Sequence, residues 1–332
     1  MVAKFETSAG RRIYTFQVEA FPTLIANIYV IDNSDQLILV DCGSGMEKSN
    51  REFLAGFDAL RETFGVSFGP ADLDLILISH GHIDHFGGLT LLREYTDAPV
   101  AIHRLDRRVL SHYEERRLVA SRRLERFLEE AGVPEGQRRN MMQMYLTGKE
   151  LFHSWPVHFL LEEGKTVAEG IDVFHVPGHC PGQVCLQIDD VLLTADHILA
   201  DITPHQAPES ITLNTGLGHY LESLDKIAGL EGIHLALGGH ETPMADVYGR
   251  IAAIKQFHEE RLQKVLEICR EPRSVREISQ ALFGDVNGYH VLLALEEAGA
   301  HVEYLYMRGE LAATNLDEIA SEQRPVIRYQ RG

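Results

Sequence analysis

The sequence predicts an α/β chain. Short apolar or alternating runs recur along most of it, amphipathic helical patterns separate them, and turn residues punctuate the boundaries. The first strands lie between residues 13 and 40. Tyr14, Phe16 and Val18 alternate with polar neighbours, and continuous apolar runs follow at 26–31 and 37–40. Asn33-Ser34-Asp35 supplies a turn between the last two, which predicts a hairpin. The third run empties into the small-residue loop Asp41-Cys42-Gly43-Ser44-Gly45. Residues 49–64 place Phe53, Leu54, Phe57 and Leu60 on one helical face, before a strand at 73–78. A helix at 86–95 and a short strand ending at His103 complete the alternation.

The pattern changes at 104–160. Arg, Glu and Leu dominate to residue 130, and a second helical stretch follows with Met141, Met142 and Met144, which predicts a helical insertion. Strand periodicity resumes at 171–176, 183–188 and 191–194, with Asp189-Asp190 turning the last pair. A helix at 218–229 then leads to a strand at 233–237 and the loop Gly238-Gly239-His240. Beyond residue 245 a long helix runs to Cys269, where Glu271-Pro272 ends it. Helical patterns at 274–282 and 290–298 precede two expected strands at 304–311 and 325–329. Helix, helix, helix, hairpin is a winged-helix order, so two domains are expected, 1–245 and 246–332. Residues 251–332 carry ten Lys/Arg against thirteen Asp/Glu. The tail therefore reads as a packing or dimerising element rather than a nucleic-acid reader.

A formal net charge of −18 argues against general affinity for nucleic acid or an anionic membrane. No segment has the length and apolarity of a membrane span, and the N-terminal residues lack a signal-like apolar run. The four cysteines show no CxxC spacing, which predicts reduced thiols and a cytoplasmic location. A homodimer through the insertion or tail is a further expectation.

The chemistry concentrates at His80-Gly81-His82-Ile83-Asp84-His85, four metal-binding side chains within six residues at the end of a predicted strand. An extended chain points His80 and His82 to one side, whereas the adjacent Asp84 and His85 face differently and suit a second metal. Imidazole and carboxylate without thiolate is a hydrolytic set for Zn, Mn or Fe. A dinuclear site needs further ligands, and His179, Asp196 and His240 each lie just past a predicted strand, where α/β sheets place their sites.

In this order the residues resemble the metallo-β-lactamase-fold hydrolases. Asp41, followed here by Cys42 before Gly43, resembles that family's early Asp-Gly loop, and Phe86-Gly87-Gly88 after His85 is similar too. The resemblance spans about 13–245 and implies an αββα sandwich with metals at one edge. By it, His80, His82 and His179 hold one metal, Asp84, His85 and His240 hold the other, and Asp196 bridges both. The run from Ala195 to His205 resembles a subgroup with a C-terminal winged-helix-like extension. That subgroup includes a lactamase-like endoribonuclease. Glyoxalase II and acyl-homoserine lactonases share the ligands more distantly, and the insertion there walls the substrate pocket.

The implied cofactor is a pair of divalent ions, Zn first, with Mn or Fe as alternatives. The implied reaction is hydrolysis of a small acyl substrate (thioester, ester or lactone) by a metal-bridging hydroxide. Asp84 is the expected catalytic carboxylate, orienting the nucleophile and passing its proton to the leaving group. Asp41 is expected behind the ligands, accepting from an imidazole. His205 is expected to touch substrate, with His219 a weaker choice. His197 is expected to point away from the metals, Tyr220 to lie in the core, Cys180 to be no ligand, and Asp201 and Glu241 to be solvated or to sit behind the ligands. The alternatives are a metal-dependent endoribonuclease, a mononuclear-iron dioxygenase of the persulfide type, and a binding protein that kept the fold.

Overall fold

The computed structural model describes residues 2–33, 35–147 and 149–332. Ser34, from the expected turn, lies outside them. The chain divides into two compact units: 1–113 with 154–204 and 223–251, and 114–153 with 205–222 and 252–332.

The first unit is built on two sheets. Its larger sheet holds β1 (Val2–Glu6), β2 (Arg12–Phe21), β3 (Leu24–Asp32), β4 (Leu37–Val40), β5 (Leu75–Leu77), β6 (Val100–His103) and β7 (Phe159–Leu161), hydrogen-bonded in sequence order. β1 to β4 are antiparallel, and β4 to β7 are parallel. The smaller sheet is ordered β11 (Leu235–Gly238), β10 (Val191–Ala195), β9 (Val184–Ile188) and β8 (Ile171–His175), with β10 and β11 parallel.

Strand periodicity explains why the sheets stack. Ile13, Tyr29, Ile31, Ile38, Leu75 and Leu77 from one sheet share a core with Val173, Val184, Leu186, Leu193 and Leu237 from the other. The other face of the larger sheet receives the helix Glu47–Phe64, where the Phe16 ring centroid lies 5.5 Å from that of Phe53 and 5.4 Å from that of Phe57. On the smaller sheet's side, Ser223 and Lys226 of the helix Leu217–Ala228 bond the Pro177 and His175 carbonyls. Helix, sheet, sheet, helix is the layering of an αββα sandwich, as the sequence leads one to expect.

The second unit contains the helix Glu135–Leu146, most of the helices Tyr113–Glu130 and Val247–Ile268, the helices Val275–Phe283 and His290–Met307, and a small antiparallel sheet. The sheet is ordered β12 (Arg273–Ser274), β14 (Arg328–Arg331), β13 (Leu311–Ala313). Ser274 caps the helix Val275–Phe283 in a reciprocal capping box with Glu277. The strand expected at 304–311 is mostly helix instead. Its aromatic content favours a strand, but buried Leu295, Ala298, Val302 and Leu305 continue one helical face down to Met307. Among the described residues, no helix is long and apolar enough to cross a membrane.

Leu186 is 1% exposed between the sheets, whereas Leu105 is 41% exposed. In chelated protein, Leu186→Ala is expected to lower unfolding stability by about 2–5 kcal/mol, and Leu105→Ala by under about 1 kcal/mol. Urea midpoints compare them, and equal losses would place the core elsewhere.

Candidate metal centre

Parallel pairing sends the loops after β4 and β5 out of one end of their sheet, and those after β10 and β11 out of one end of the other. Asp41 follows β4, and Ser79 to His85 follow β5. Asp196 follows β10, and His240 follows β11. The loop after β8 brings His179. Asp41 takes φ +62°, a left-handed conformation that Asp tolerates better than most residues. From there Asp41 N donates to Leu77 O (2.9 Å) and Cys42 N to His85 O (2.8 Å). The two loops pack backbone on backbone. A Cβ on Gly88 would fall 2.0 Å from Cys42 O, and one on Gly87 would fall 2.1 Å from Ser44 O.

His80 and His82 precede a helical turn, Ile83–Phe86, that begins earlier than the glycines and carries Asp84 and His85. The change from extended to helical backbone splits the six-residue cluster into two directions. Among the described residues, His80, His82, His179 and Asp196 form one group able to hold a metal, and Asp84, His85, Asp196 and His240 form another. Within each group the ligating atoms lie within 4.8 Å of one another, and Asp196 belongs to both.

The distances define the two pockets. His179 Nε2 is 3.0 Å from His82 Nδ1, and Asp196 Oδ2 is 3.9 Å from His80 Nε2 and 3.7 Å from His179 Nε2. On the other side His85 Nε2 is 3.4 Å from Asp196 Oδ1 and 3.6 Å from Asp84 Oδ2. His240 Nε2 is 3.4 Å from Asp84 Oδ2 and 3.2 Å from Asp196 Oδ2. His80 Nε2, His85 Nε2 and Asp196 Oδ1 are buried without a hydrogen bond. Buried ligand-type atoms that converge without hydrogen-bond partners fit a cation, and the mixed N/O set suits a divalent metal.

The far side of each ring is held. Ser79 Oγ donates to Asp41 Oδ2 (2.7 Å), so it accepts from His80 Nδ1 (3.0 Å) and leaves Nε2 bare toward the pocket. Ser79 N donates to Asp41 Oδ1 (2.8 Å), and His85 Nδ1 donates to Asp41 Oδ2 (2.7 Å). His240 Nδ1 donates to Ile25 O (2.6 Å). The β3 strand steadies the His240 loop: Asn27 N donates to Gly239 O (2.7 Å), Asn27 Nδ2 to Gly238 O (3.0 Å), and Tyr29 OH to Gly238 O (2.6 Å). Gly239 is needed for close approach, because a Cβ there would lie 2.3 Å from Asp196 Oδ1 and 2.9 Å from His85 Cε1.

Electrostatics separates the two groups. Burial, reinforced by neighbouring imidazoles, pushes His80 well below the usual histidine range and His82 to about 3. Both are neutral and ready to coordinate. Burial disfavours a charge on His85 and His240 too, but surrounding carboxylates outweigh it, raising His85 well above the ordinary value and His240 to about 10. Burial alone would raise Asp84 and Asp196. The facing His85 and His240 reverse that, holding Asp84 near about 2 and Asp196 well below the carboxylate range.

All seven proposed ligands therefore meet, with Asp41 behind them. Sequence reading missed Ser79, Asn27, Tyr29 and Gly239. The only signal was weak, a polar Asn27 inside an apolar run. Cys180 is a buried thiol whose pKa is raised first by burial and then by Asp106 and Asp196, so it is no thiolate ligand. His197 is fully buried. Glu241 accepts from Asp201 N (2.7 Å) and Ile202 N (3.2 Å).

In the second unit, His219 Nε2 lies 3.4 Å from Glu209, and Tyr220 is buried. His205 lies 3.0 Å from Glu296 and 3.5 Å from Glu297. His258, Glu297 and His301 also cluster, with His258 Nδ1 3.1 Å from His301 Nε2. Arg261 donates to Glu297 Oε1 (2.6 Å) and Gln206 N to Oε2 (2.8 Å). With Arg261 and His205 already matching that carboxylate, the cluster is a buried hydrogen-bonded network.

Residues 22–240 match the model of the metallo-beta-lactamase superfamily. The chain belongs to that superfamily. With it comes assignment to the metal-dependent hydrolases. The chain is 28% identical over 267 residues to the probable metallo-hydrolase YflN of Bacillus subtilis (strain 168), covering 73% of this chain and 88% of that protein. It is 26% identical over 180 residues to the acyl-coenzyme A thioesterase MBLAC2 of Bos taurus, covering 52% of this chain and 57% of that one. Among solved structures, the metallo-beta-lactamase family protein TTHA1429 from Thermus thermophilus superposes with a TM-score of 0.77 at 26% identity, covering 96% of this chain and 98% of that one.

Two outcomes are expected. Ser79→Ala removes the hydroxyl behind His80 and should weaken metal retention about 10–100-fold in chelator competition; unchanged retention would refute the hydroxyl's role. For His205, burial opposes protonation but Glu296 and Glu297 raise its pKa to about 9. The stabilisation is then full below the unfolded value of about 6.5 and lost as pH rises through about 9. Urea midpoints should fall more between pH 7 and 10 in the wild type than in His205→Gln, and an equal fall would remove this pairing from the stability of the unit.

Proposed function

We propose that the protein is a dinuclear-metal hydrolase of small acyl substrates, with a thioester as first choice. The observation that carries this reading is Asp196, shared by two groups of ligand atoms on neighbouring loops. His80, His82 and His179 would hold one cation, Asp84, His85 and His240 would hold the second, and Asp196 would serve both. Zn suits the nitrogen-rich set, with Mn or Fe as alternatives. A bound pair of divalent ions supplies Lewis acidity and brings the pKa of a coordinated water toward neutrality.

The chain's own groups do the rest. Asp84 stays ionised, so its carboxylate can accept a proton from the nucleophile and return it to the leaving group. Asp41 and Ser79 keep the imidazole lone pairs aimed forward and limit the motion of His80 and His85. Gly239 leaves Asp196 and His85 unobstructed.

Support for an acyl substrate comes from the relative named as an acyl-coenzyme A thioesterase and from the net charge of −18, which is a poor match for nucleic acid. Four buried free thiols are in keeping with a reducing, cytoplasmic setting.

Protein purified without chelator is expected to hold two divalent metals per chain by elemental analysis. A single iron with oxygen-dependent turnover would overturn the hydrolase reading. Against a panel of acyl-thioesters, lactones and single-stranded RNA, the thioesters should turn over. Asp84→Asn should lower their kcat about 10²–10⁴-fold. Turnover of RNA alone would replace the acyl substrate with a phosphodiester.

A further inference from the structure

We propose that Asp106 is a positioning residue for the His80, His82 and His179 half of the centre, locking the two loops that carry these ligands. The inference rests on the metal-binding reading above and concerns a residue that reading does not use.

Asp106 follows β6 and precedes the helical stretch Arg107–Ser111, yet its side chain makes no capping bond to that stretch. It is fully buried. Its Oδ2 accepts from Gly81 N at 2.8 Å. That amide belongs to the peptide joining His80 to Gly81, one residue before His82. Turning this peptide swings both imidazoles, so a bond to it sets two ligands at once.

The second contact is to the His179 loop. A Cβ on Gly182 would lie 2.7 Å from Asp106 Cγ and 2.8 Å from Asp106 N, so that loop runs directly against Asp106. A Cβ on Gly81 would meet the same carboxylate at 3.2 Å. Both loops therefore touch one side chain, from well-separated parts of the sequence. His82 Nδ1 and His179 Nε2, one from each loop, lie 3.0 Å apart. Those two nitrogens belong to one group of side chains that would hold a cation. The contact of Asp106 with the His80–His82 loop is a bond to the Gly81 amide, not to an imidazole.

The test compares wild type, Asp106→Asn and Asp106→Ala. Asn retains an oxygen acceptor at the same reach, and Ala removes it. Each protein is loaded with Zn, titrated with chelator while bound metal is counted, and separately unfolded in urea after complete chelation. Asp106→Ala should release one metal at about 10–100-fold less chelator than wild type and keep the other, while Asp106→Asn stays close to wild type. A merely structural role would lower the chelated urea midpoint and leave metal retention by the folded protein unchanged. That outcome overturns the proposal.

If the Ala variant does not fold, Gly182→Ala is the substitute. It keeps the acceptor but pushes Asp106 off its position, and it should release the same metal. Retention of both metals at wild-type chelator levels would again overturn the proposal. A wild type that holds a single metal would sink the dinuclear reading alone, since Asp106 is still judged by whether that metal is lost from the variant. A wild type that takes up no metal sinks both.

Discussion

The Asp41 carboxylate is the interaction on which the rest of the centre depends. One of its oxygens receives both the Ser79 hydroxyl and the His85 ring, and Ser79 in turn receives the His80 ring. A single buried anion thus orients one imidazole in each ligand group. The two groups of ligand-type side chains are thereby coupled through it. The left-handed backbone at Asp41 lets the chain leave β4 and still place that carboxylate under the loop after β5.

The two sheets contribute unequally. The larger sheet supplies the cluster at 80–85 together with its carboxylate support, within one pair of parallel strands. The smaller sheet supplies Asp196 and His240, and the His240 loop is held by groups reaching across from β3. Asn27 and Tyr29 interrupt an apolar strand and direct their hydrogen bonds to the carbonyls around Gly238 and Gly239. Buried polar groups so fully used give direction as well as stability. They fix where the second sheet's loops end relative to the first.

The parts of this arrangement that could be read directly were those in which neighbours in sequence are neighbours in space. The 80–85 cluster announces itself because four ligand-type side chains lie within six residues, and strand ends mark His179, Asp196 and His240. Asp41 was legible through resemblance. Ser79 was not, because a serine beside a histidine is ordinary until a carboxylate from another strand is known to sit beneath it. Gly239 carries no signal either, since its necessity comes from Asp196 and His85 crowding it in three dimensions. The helix His290–Met307 shows the opposite failure. Local aromatic content suggested a strand, but the buried helical face continues through it.

The packing of the loop after Asp41 against the loop after His85 has a consequence for engineering. With carbonyl oxygens of Cys42 and Ser44 occupying the space where side chains at Gly88 and Gly87 would stand, neither loop has an independent shape. The residues at 41–45 and 79–88 are one cassette written in two pieces. A graft of the ligand motif alone onto another sheet would carry the donor atoms without the surface that moulds them. The smallest transplantable form of this centre therefore includes a second, ligand-free segment of chain.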